Sequence, residues 1–548
     1  MKKKNENNYN ENPVQNGEGF VFEDNTYNAG GKPPLQLKRI AAVICLAAAA
    51  VFILAYFVFF RNRSGGSAIP FSASTASSVK AEAEQKKKEK EAKKAFNSEN
   101  SPWFSTDGYG RLFFDGSQFS GTELVIPSAF DGSNINTVSF GFDEENTTIK
   151  TLKVNEGVRV IREGAFSKFT ALQKVSLPNS LERIIGNCFH GTPWYKSLNS
   201  EFCVFGKGVL IKYCGNSKSI VVPQSVITLD CEVFKNCDSA DSIVFSESTV
   251  CVGTGVFEGC TAENIVVNSG LQKADNNAFS GSAWIKSKSG TAVVGKGVMI
   301  RCDINGDVIE IPDSVKYISG LDLKGNGDGI TMIIGKNVVD VADFRELGYV
   351  SEFKVDKEST VFSARSGVLY NADKTVLYRY PVYRNASSFR ATEDLTRIGN
   401  CAFYDSSLEH IEVYDGVLTL GNEAFKNCKK LKEFVMPGTV NVLGHSVFEN
   451  CAALKEIQLS EVLRKIPFST FANCKSLEKL SLNSNLAYFG ARSFENCASL
   501  KKIELPKTVT AVAPSAFNGC DNLKLTVQSG NIYYKSEDGK LIGIKKKS

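Results

Sequence analysis

Histidine is almost missing from this chain: three in 548 residues, His190, His410 and His445. Imidazole is the side chain most used for proton transfer near neutral pH and for metal ligation, so its scarcity leaves little for either. None of the three has a neighbouring histidine or cysteine at ligand spacing, and each reads as a surface or turn residue. C-x-x-C, G-x-S-x-G, H-E-x-x-H and the phosphate-binding G-x-x-x-x-G-K-[ST] are all missing too. The chain therefore reads as a non-enzyme, with no catalytic residue, no cofactor and no metal site expected. Two aspartate-rich stretches match calcium loops only in part. Asp303–Asp307 lacks glycine at loop position six, and the stretch from Asp322 puts Lys324 at position three and Ile333 at position twelve. Both read as turns.

Charge of one sign is also scarce. There are 64 Lys and Arg against 59 Asp and Glu, and residues 105–548 hold 49 of each. A neutral body has no field to gather phosphates, so nucleic acid is not an expected partner. With 43% hydrophobic residues, most of the chain should fold. At 548 residues it is long for one core, which suggests several domains or an array that grows without a single core.

One long apolar run stands out. Residues 40–60, IAAVICLAAAAVFILAYFVFF, carry no charge and are bounded by Lys38 and Arg39 on one side and Arg61 and Arg63 on the other. As a helix they would span roughly 30 Å, enough to cross a bilayer. So uniform a run has no polar face to suit a core helix. It is too long, and starts too late, for a cleaved signal peptide. A retained transmembrane anchor helix is expected. Residues 1–39 before it, with eight asparagines, read as a disordered polar tail. Residues 61–104 after it read as a flexible Ser/Ala/Gly spacer followed by a Lys-rich helical stalk. Glu82–Lys86, Glu84–Lys88 and Glu89–Lys93 stand there as i,i+4 pairs.

From 105 to 548 a 23-residue period dominates. Phe425, Phe448, Phe471, Phe494 and Phe517 are each 23 apart; Cys428, Cys451, Cys474, Cys497 and Cys520 follow three residues later, and Leu431, Leu454, Leu477, Leu500 and Leu523 three after that. The frame recurs upstream at Phe142, Phe166, Phe189, Phe234, Phe257, Phe279, Phe344 and Phe403, giving roughly twelve to fifteen units. One unit cannot bury its own apolar face; stacked units bury a continuous one. The fold class is therefore a mainly β repeat solenoid of leucine-rich type. The L-x-x-I-x-L stretch forms one strand, and the V-x-x-I stretch after proline forms a second short extended segment rather than a long helix.

Segments such as NEAFKNCKKLKEFVMPGTV and RSFENCASLKKIELPKTV make the chain resemble the BspA-type leucine-rich repeats, over most of 130–530. The resemblance implies a bacterial surface protein, anchored or secreted, that binds protein or glycan on host, neighbouring cell or matrix. Lysine and arginine flanking the 40–60 run are nearly balanced, so charge alone does not orient it. The short tail and the resemblance place the tail inside and the solenoid outside, at the cell membrane.

Four segments interrupt the frame: about 190–222, 280–312 and 363–392, and a closing echo at about 530–548 that reads as a hairpin cap. The first two share a V-x-G-K-G-V hairpin signal and a tryptophan five residues after the repeat phenylalanine, Trp194 and Trp284. On one reading they project as binding loops; on the other they pack sideways and cap or bend the array. The first reading makes Trp194 and Trp284 candidate ligand-face residues. The column Lys432, Lys455, Glu478 and Lys501, beside Glu433, Glu456, Lys479 and Lys502, supplies the others. Its mixed signs also suit cross-strand charge pairing on a wet face. The seven in-frame cysteines read as a buried thiol ladder. Neighbouring rungs fall within disulfide reach, but side chains pointing the same way make that geometry unfavourable. Cys203, Cys214 and Cys302 have no partner that spacing can assign. A binding or adhesion function on the cell surface is expected, with a structural envelope spacer or a cytoplasm-facing scaffold as alternatives.

Overall fold

The computed structural model describes residues 96–543, except 98–99, 102, 107–109, 115–118, 140–144, 163, 276, 303–305 and 320–328. The polar tail, the apolar run 40–60, nearly all of the stalk, Phe142 and the greater part of both aspartate-rich stretches lie outside the described residues. Among the described residues no helix is long and apolar enough to cross a membrane.

Each coil has three parts. A three-residue strand such as Glu433–Val435 buries its middle residue and exposes the two on either side. A two-residue strand such as Val442–Leu443 follows. A turn segment carrying the repeat phenylalanine closes the coil. Coils stack in parallel register, with Phe434 beside Ile457 and Ile457 beside Leu480. The short strands stack likewise, Leu420 beside Leu443 and Phe489 beside Val512. Proline or a polar residue ends the first strand, and the β-branched V-x-x-I stretch is too brief and too stiff at χ1 to make a helix.

The turn segments form a third ladder that spacing alone does not announce. The Phe425 amide donates to the Val447 carbonyl at 2.9 Å, Phe448 to Thr470 at 2.8 Å and Phe471 to Ser493 at 2.8 Å. Each segment takes two left-handed residues, for instance Ser446 (φ 54°) and Asn450 (φ 63°). Asparagine tolerates that region better than most residues, and Asn427, Asn450, Asn473 and Asn496 share one column. Asn450 Nδ2 donates to Asn427 Oδ1 at 2.8 Å, and Asn496 Nδ2 to Asn473 Oδ1 at 2.9 Å.

Inside, the phenylalanines stack as one column. Phe425 and Phe448 lie 5.1 Å apart with rings 3° from parallel, and Phe448 and Phe471 lie 5.4 Å apart at 2°. The cysteines fill the slot beside them. Cys428, Cys451, Cys474, Cys497 and Cys520 donate S–H to the carbonyls of Phe403, Phe425, Phe448, Phe471 and Phe494, at 3.0–3.2 Å. All the described cysteines are free thiols.

The interruptions are hairpins built into the stack. Strand Phe202–Phe205 pairs antiparallel with Val209–Tyr213, whose Val209 and Leu210 pair in parallel with Thr228 and Leu229 of the next coil. The second hairpin repeats this: Ala292–Val294 pairs with Val298–Arg301, and Val298 and Met299 lie beside Tyr317 and Ile318. In the third, Val376 and Leu377 pair with Arg397 and Ile398. So these segments do not project as loops; each adds a rung to the short-strand sheet. The first adds that rung with no turn segment of its own. Turn segments on either side of it then meet directly, with Cys231 Sγ donating to Asn187 Oδ1 at 2.8 Å and His190 Nδ1 3.2 Å from Glu232.

The last hairpin, Tyr534–Glu537 with Lys540–Gly543, turns at Asp538 (φ 50°) and Gly539 (φ 76°), a two-residue loop of the kind suited to twisted strands. It packs Tyr534 and Leu541 against the end of the core, as a cap must. The strand Arg111–Phe114 near the start of the array also meets distant coils: Phe113 stacks on Phe468 at 5.0 Å, and Arg111 hydrogen-bonds His445. His445 is therefore buried, not a surface residue, because this contact covers it.

Candidate functional site

The exposed face of the three-residue strands is the broadest candidate surface. It has two chemistries. From 219 to 266 the strand positions themselves are neutral, with Lys218 and Asp241 paired at 3.7 Å just before them: Ser219, Ser242 and Asn264 form one column, with Ser242 Oγ donating to Ser219 Oγ at 3.1 Å, and Val221, Val244 and Val266 form the next. From 388 onward it is charged. Arg390 meets Glu412 at 2.7 Å, His410 meets Glu433 at 3.4 Å, Lys432 meets Glu409 at 2.6 Å and Lys479 meets Glu456 at 3.3 Å, all between neighbouring coils. Such exposed pairs set local register more than they stabilise.

Lys432, Lys455, Glu478 and Lys501 stand in one exposed column, each just before its strand. Backbone bonds fix the alignment: the Lys455 amide donates to the Lys432 carbonyl at 3.0 Å and Glu478 to Lys455 at 2.9 Å. Trp194 and Trp284 do not join them. They are only 7% and 8% exposed. Each sits on a short helix, Pro193–Ser197 or Ala283–Lys286, started by a Thr192 or Ser282 cap whose oxygen accepts the Tyr195 or Ile285 amide. That helix turns the indole inward, 4.9 Å from Phe189 and 5.6 Å from Phe205 for Trp194, and 5.5 Å from Phe279 for Trp284. Both are core residues at this geometry.

Two polar clusters lie inside. In one, Arg183 meets Asp275 at 2.6 Å, with Asp230 buried alongside. Burial holds the Asp230 carboxyl well above the usual carboxylate range, outweighing the Cys231 amide and the Arg183 charge that pull the other way. Its Oδ1 has no hydrogen-bond partner. The folded state thus keeps a proton that the unfolded chain releases near pH 4. Stability then falls as pH rises from about 4 toward the folded pKa, by up to about 1.4 kcal/mol per pH unit. Asp230→Asn removes that loss. The variant should melt higher than the parent at neutral pH and at the same temperature below about pH 4. Thermal melts across that range check it; a pH-independent gap would mean Asp230 is ionised in the fold.

In the other cluster Arg345 grips Asp343 through Nε (2.9 and 3.0 Å) and Nη2 (2.6 Å), and reaches Glu423 at 3.4 Å. Arg379, fully buried, donates to the carbonyls of Cys401 and Tyr404 at 2.7 and 3.0 Å. These groups tie the turn ladder together where the third hairpin enters. Among the described residues no set of three His, Cys, Asp or Glu side chains is placed to hold a metal ion. One pairing escaped the spacing arithmetic: Cys214 lies beside Cys203 and, after burial, helps push the Cys203 thiol above its usual range. The register of the hairpin, with Cys203 opposite Lys212, was the signal that places them diagonally on one face.

No curated protein matches the chain. Among solved structures it is similar to a leucine-rich repeat protein from Eubacterium ventriosum ATCC 27560, at 19% identity over 62% of this chain and 94% of that one, with a TM-score of 0.38. A leucine rich cell surface protein from Faecalibacterium prausnitzii A2-165 aligns at 17% identity over 78% and 92%, with a TM-score of 0.29. The pneumococcal vaccine antigen PcpA aligns at 14% identity over 78% and 92%, with a TM-score of 0.28. The model of the BspA type leucine-rich repeat region matches in six copies, over residues 123–202, 209–322 and 396–524, more than half of the chain. With its columns, paired strands and stacked coils accounted for, this chain belongs to the BspA-type leucine-rich repeat family.

Proposed function

We propose that the protein is a cell-surface binding protein held by a single membrane span. Residues 40–60 are the anchor, 1–39 the cytoplasmic tail and 61–104 the stalk; the solenoid from 105 onward faces outside and takes a protein or glycan ligand. The observation that carries this reading is the exposed strand face. It offers parallel columns over five consecutive coils between Ser388 and Ser481, with apolar side chains left open among polar ones. Val435 there is 75% exposed, and Val221 on the earlier sheet is 63% exposed. A surface of this kind engages an extended partner at many weak points rather than a small molecule in a pocket. Lys432, Lys455, Glu478 and Lys501 border it.

A second reading, a structural spacer, draws support from the charged half of the same face, where cations and carboxylates already satisfy one another across coils. Protease shaving of intact cells, followed by mass spectrometry of the released fragments, tests the placement. Peptides from 105–548 in the supernatant are expected. Protection until the cells are lysed would overturn the surface reading and favour a cytoplasmic scaffold. Protein and glycan arrays probed with the released solenoid then separate binding protein from spacer.

A further inference from the structure

We propose that Cys203 and Cys214 form a thiol–disulfide exchange site on the first hairpin, closed by an organic disulfide, whether a small one or a protein's own. Cys203 lies on Phe202–Phe205, within the core, and Cys214 follows the partner strand Val209–Tyr213. The Cys214 amide donates to the Glu201 carbonyl at 2.9 Å, which brings Cys214 into the pairing two positions from Cys203 and on the same face. Burial first, and then the Cys214 thiol beside it, push the Cys203 thiol above its usual range. Each also leans on a nearby carbonyl, Cys203 Sγ on Ser200 and Cys214 Sγ on Leu198, both at 3.3 Å. Cys214 is exposed and Cys203 is buried, so the pair has one accessible and one sheltered member.

That asymmetry sets the order of the steps. Cys214, as thiolate, attacks one sulfur of R–S–S–R; the S–S bond breaks and R–S⁻ leaves, taking up the proton that Cys214 released. Cys203 then gives up its proton and attacks Cys214 Sγ. The second R–S⁻ departs and takes that proton. Two protein thiols are oxidised to one disulfide and the organic disulfide is reduced to two thiols. Lys212 stands beside the pair, its ammonium held by the carbonyls of Tyr195 and Leu198 at 3.1 and 2.8 Å. Burial and the neighbouring Cys214 hold the Cys203 thiol above its usual range, and the Lys212 charge offsets them only in part. The in-frame ladder from Cys428 to Cys520 has no exposed member to start the exchange. Those thiols are buried and each donates to a phenylalanine carbonyl one coil away. The second hairpin does not repeat the pair, since Ala292, opposite Arg301, stands where Cys203 stands opposite Lys212.

The test uses the full-length protein, reduced, freed of reductant, incubated with oxidised glutathione, alkylated and digested with trypsin without reduction. Cleavage after Lys196, Lys207, Lys212 and Lys218 puts Cys203 on residues 197–207 and Cys214 on 213–218. These two peptides should appear joined, with the mass of one disulfide, and separate when reductant is added. In Cys203→Ala, which copies the second hairpin, Cys214 should instead keep a glutathione. The proposal is overturned if the parent protein retains glutathione on Cys214 without forming the joined peptides. It is equally overturned if both cysteines are recovered alkylated after oxidation. The parent digest decides this whether or not the variant folds.

Discussion

Phe448→Ala should lower the unfolding free energy by about 3–5 kcal/mol and uncouple the coils on either side of it. Phe448 has no exposed surface and sits between Phe425 and Phe471, with Phe434 5.1 Å away at a tilt. Truncation removes the buried area and leaves a cavity whose walls are backbone ladders on three sides, which cannot close in. It also breaks the stacked column, where each near-parallel contact adds about 0.5–1.5 kcal/mol beyond area. In a stacked array stability is a sum of coil terms and neighbour terms, so the loss falls on the two interfaces Phe448 makes, with Phe425 and with Phe471. Coils C-terminal to residue 448 should then exchange amide hydrogens sooner than those before it. Hydrogen exchange with mass spectrometry reads this coil by coil. Val435→Ala, on the exposed face, should shift the melt by less than about 0.5 kcal/mol. If exchange beyond 448 stayed as in the parent, the coupling would run through the backbone ladders and not the phenylalanine column.

The same comparison shows which parts of the molecule the residue pattern could carry. Columns at a fixed 23-residue step must superpose when coils stack, so the phenylalanine, cysteine and leucine slots were readable from the sequence, and so was charge pairing between neighbouring coils, as in Lys479 with Glu456. The alternation that exposes Glu433 and Val435 while burying Phe434 follows from the two-residue period of a strand. Three things were not readable. The turn ladder depends on left-handed φ values at Ser446, Ser469 and Arg492, residue types that give no warning of them. The direction of Trp194 depends on a five-residue helix and its Thr192 cap, too short to leave a periodic trace. The contact of Phe113 with Phe468 joins residues whose sequence distance has no counterpart in the repeat. Of the proposed ligand column, the sequence could align Lys432, Lys455, Glu478 and Lys501, because alignment is a matter of period. It could not say which face of the array meets a partner, because that is a matter of what the partner presents.

Gly208→Ala should damage the fold at the first hairpin by about 2–5 kcal/mol, from a left-handed backbone and a collision together. Gly208 has φ +85°, and a Cβ there would lie 2.3 Å from the Ser225 carbonyl oxygen. On the other side of the tip Gly206 has φ +56°, and its Cβ would lie 2.4 Å from the Leu181 carbonyl oxygen. The Gly-Lys-Gly tip is thus wedged between the coil before it and the coil after it. The second hairpin repeats the arrangement, Gly295 against Leu271 at 2.4 Å and Gly297 against Ser314 at 2.7 Å. Both obstacles are backbone, which cannot rotate out of the way as a side chain end could. The same contacts carry the hydrogen bonds that seat the hairpin: the Lys207 amide donates to Leu181 at 2.7 Å, and the Ile227 amide donates to the Gly208 carbonyl at 2.8 Å. An alanine must therefore break the link between coils, not merely tighten a turn. A freely projecting loop would respond differently, losing only the cost of the φ value, about 1–2 kcal/mol, with no change in the coils around it. Thermal melting gives the size of the effect. Hydrogen exchange gives its reach: faster exchange at Leu181–Ile185 and Thr228–Leu229 as well as at the tip is the expected pattern. A loss confined to residues 206–208 would return the hairpin to the status of a surface loop and reopen it as a place for ligand to bind.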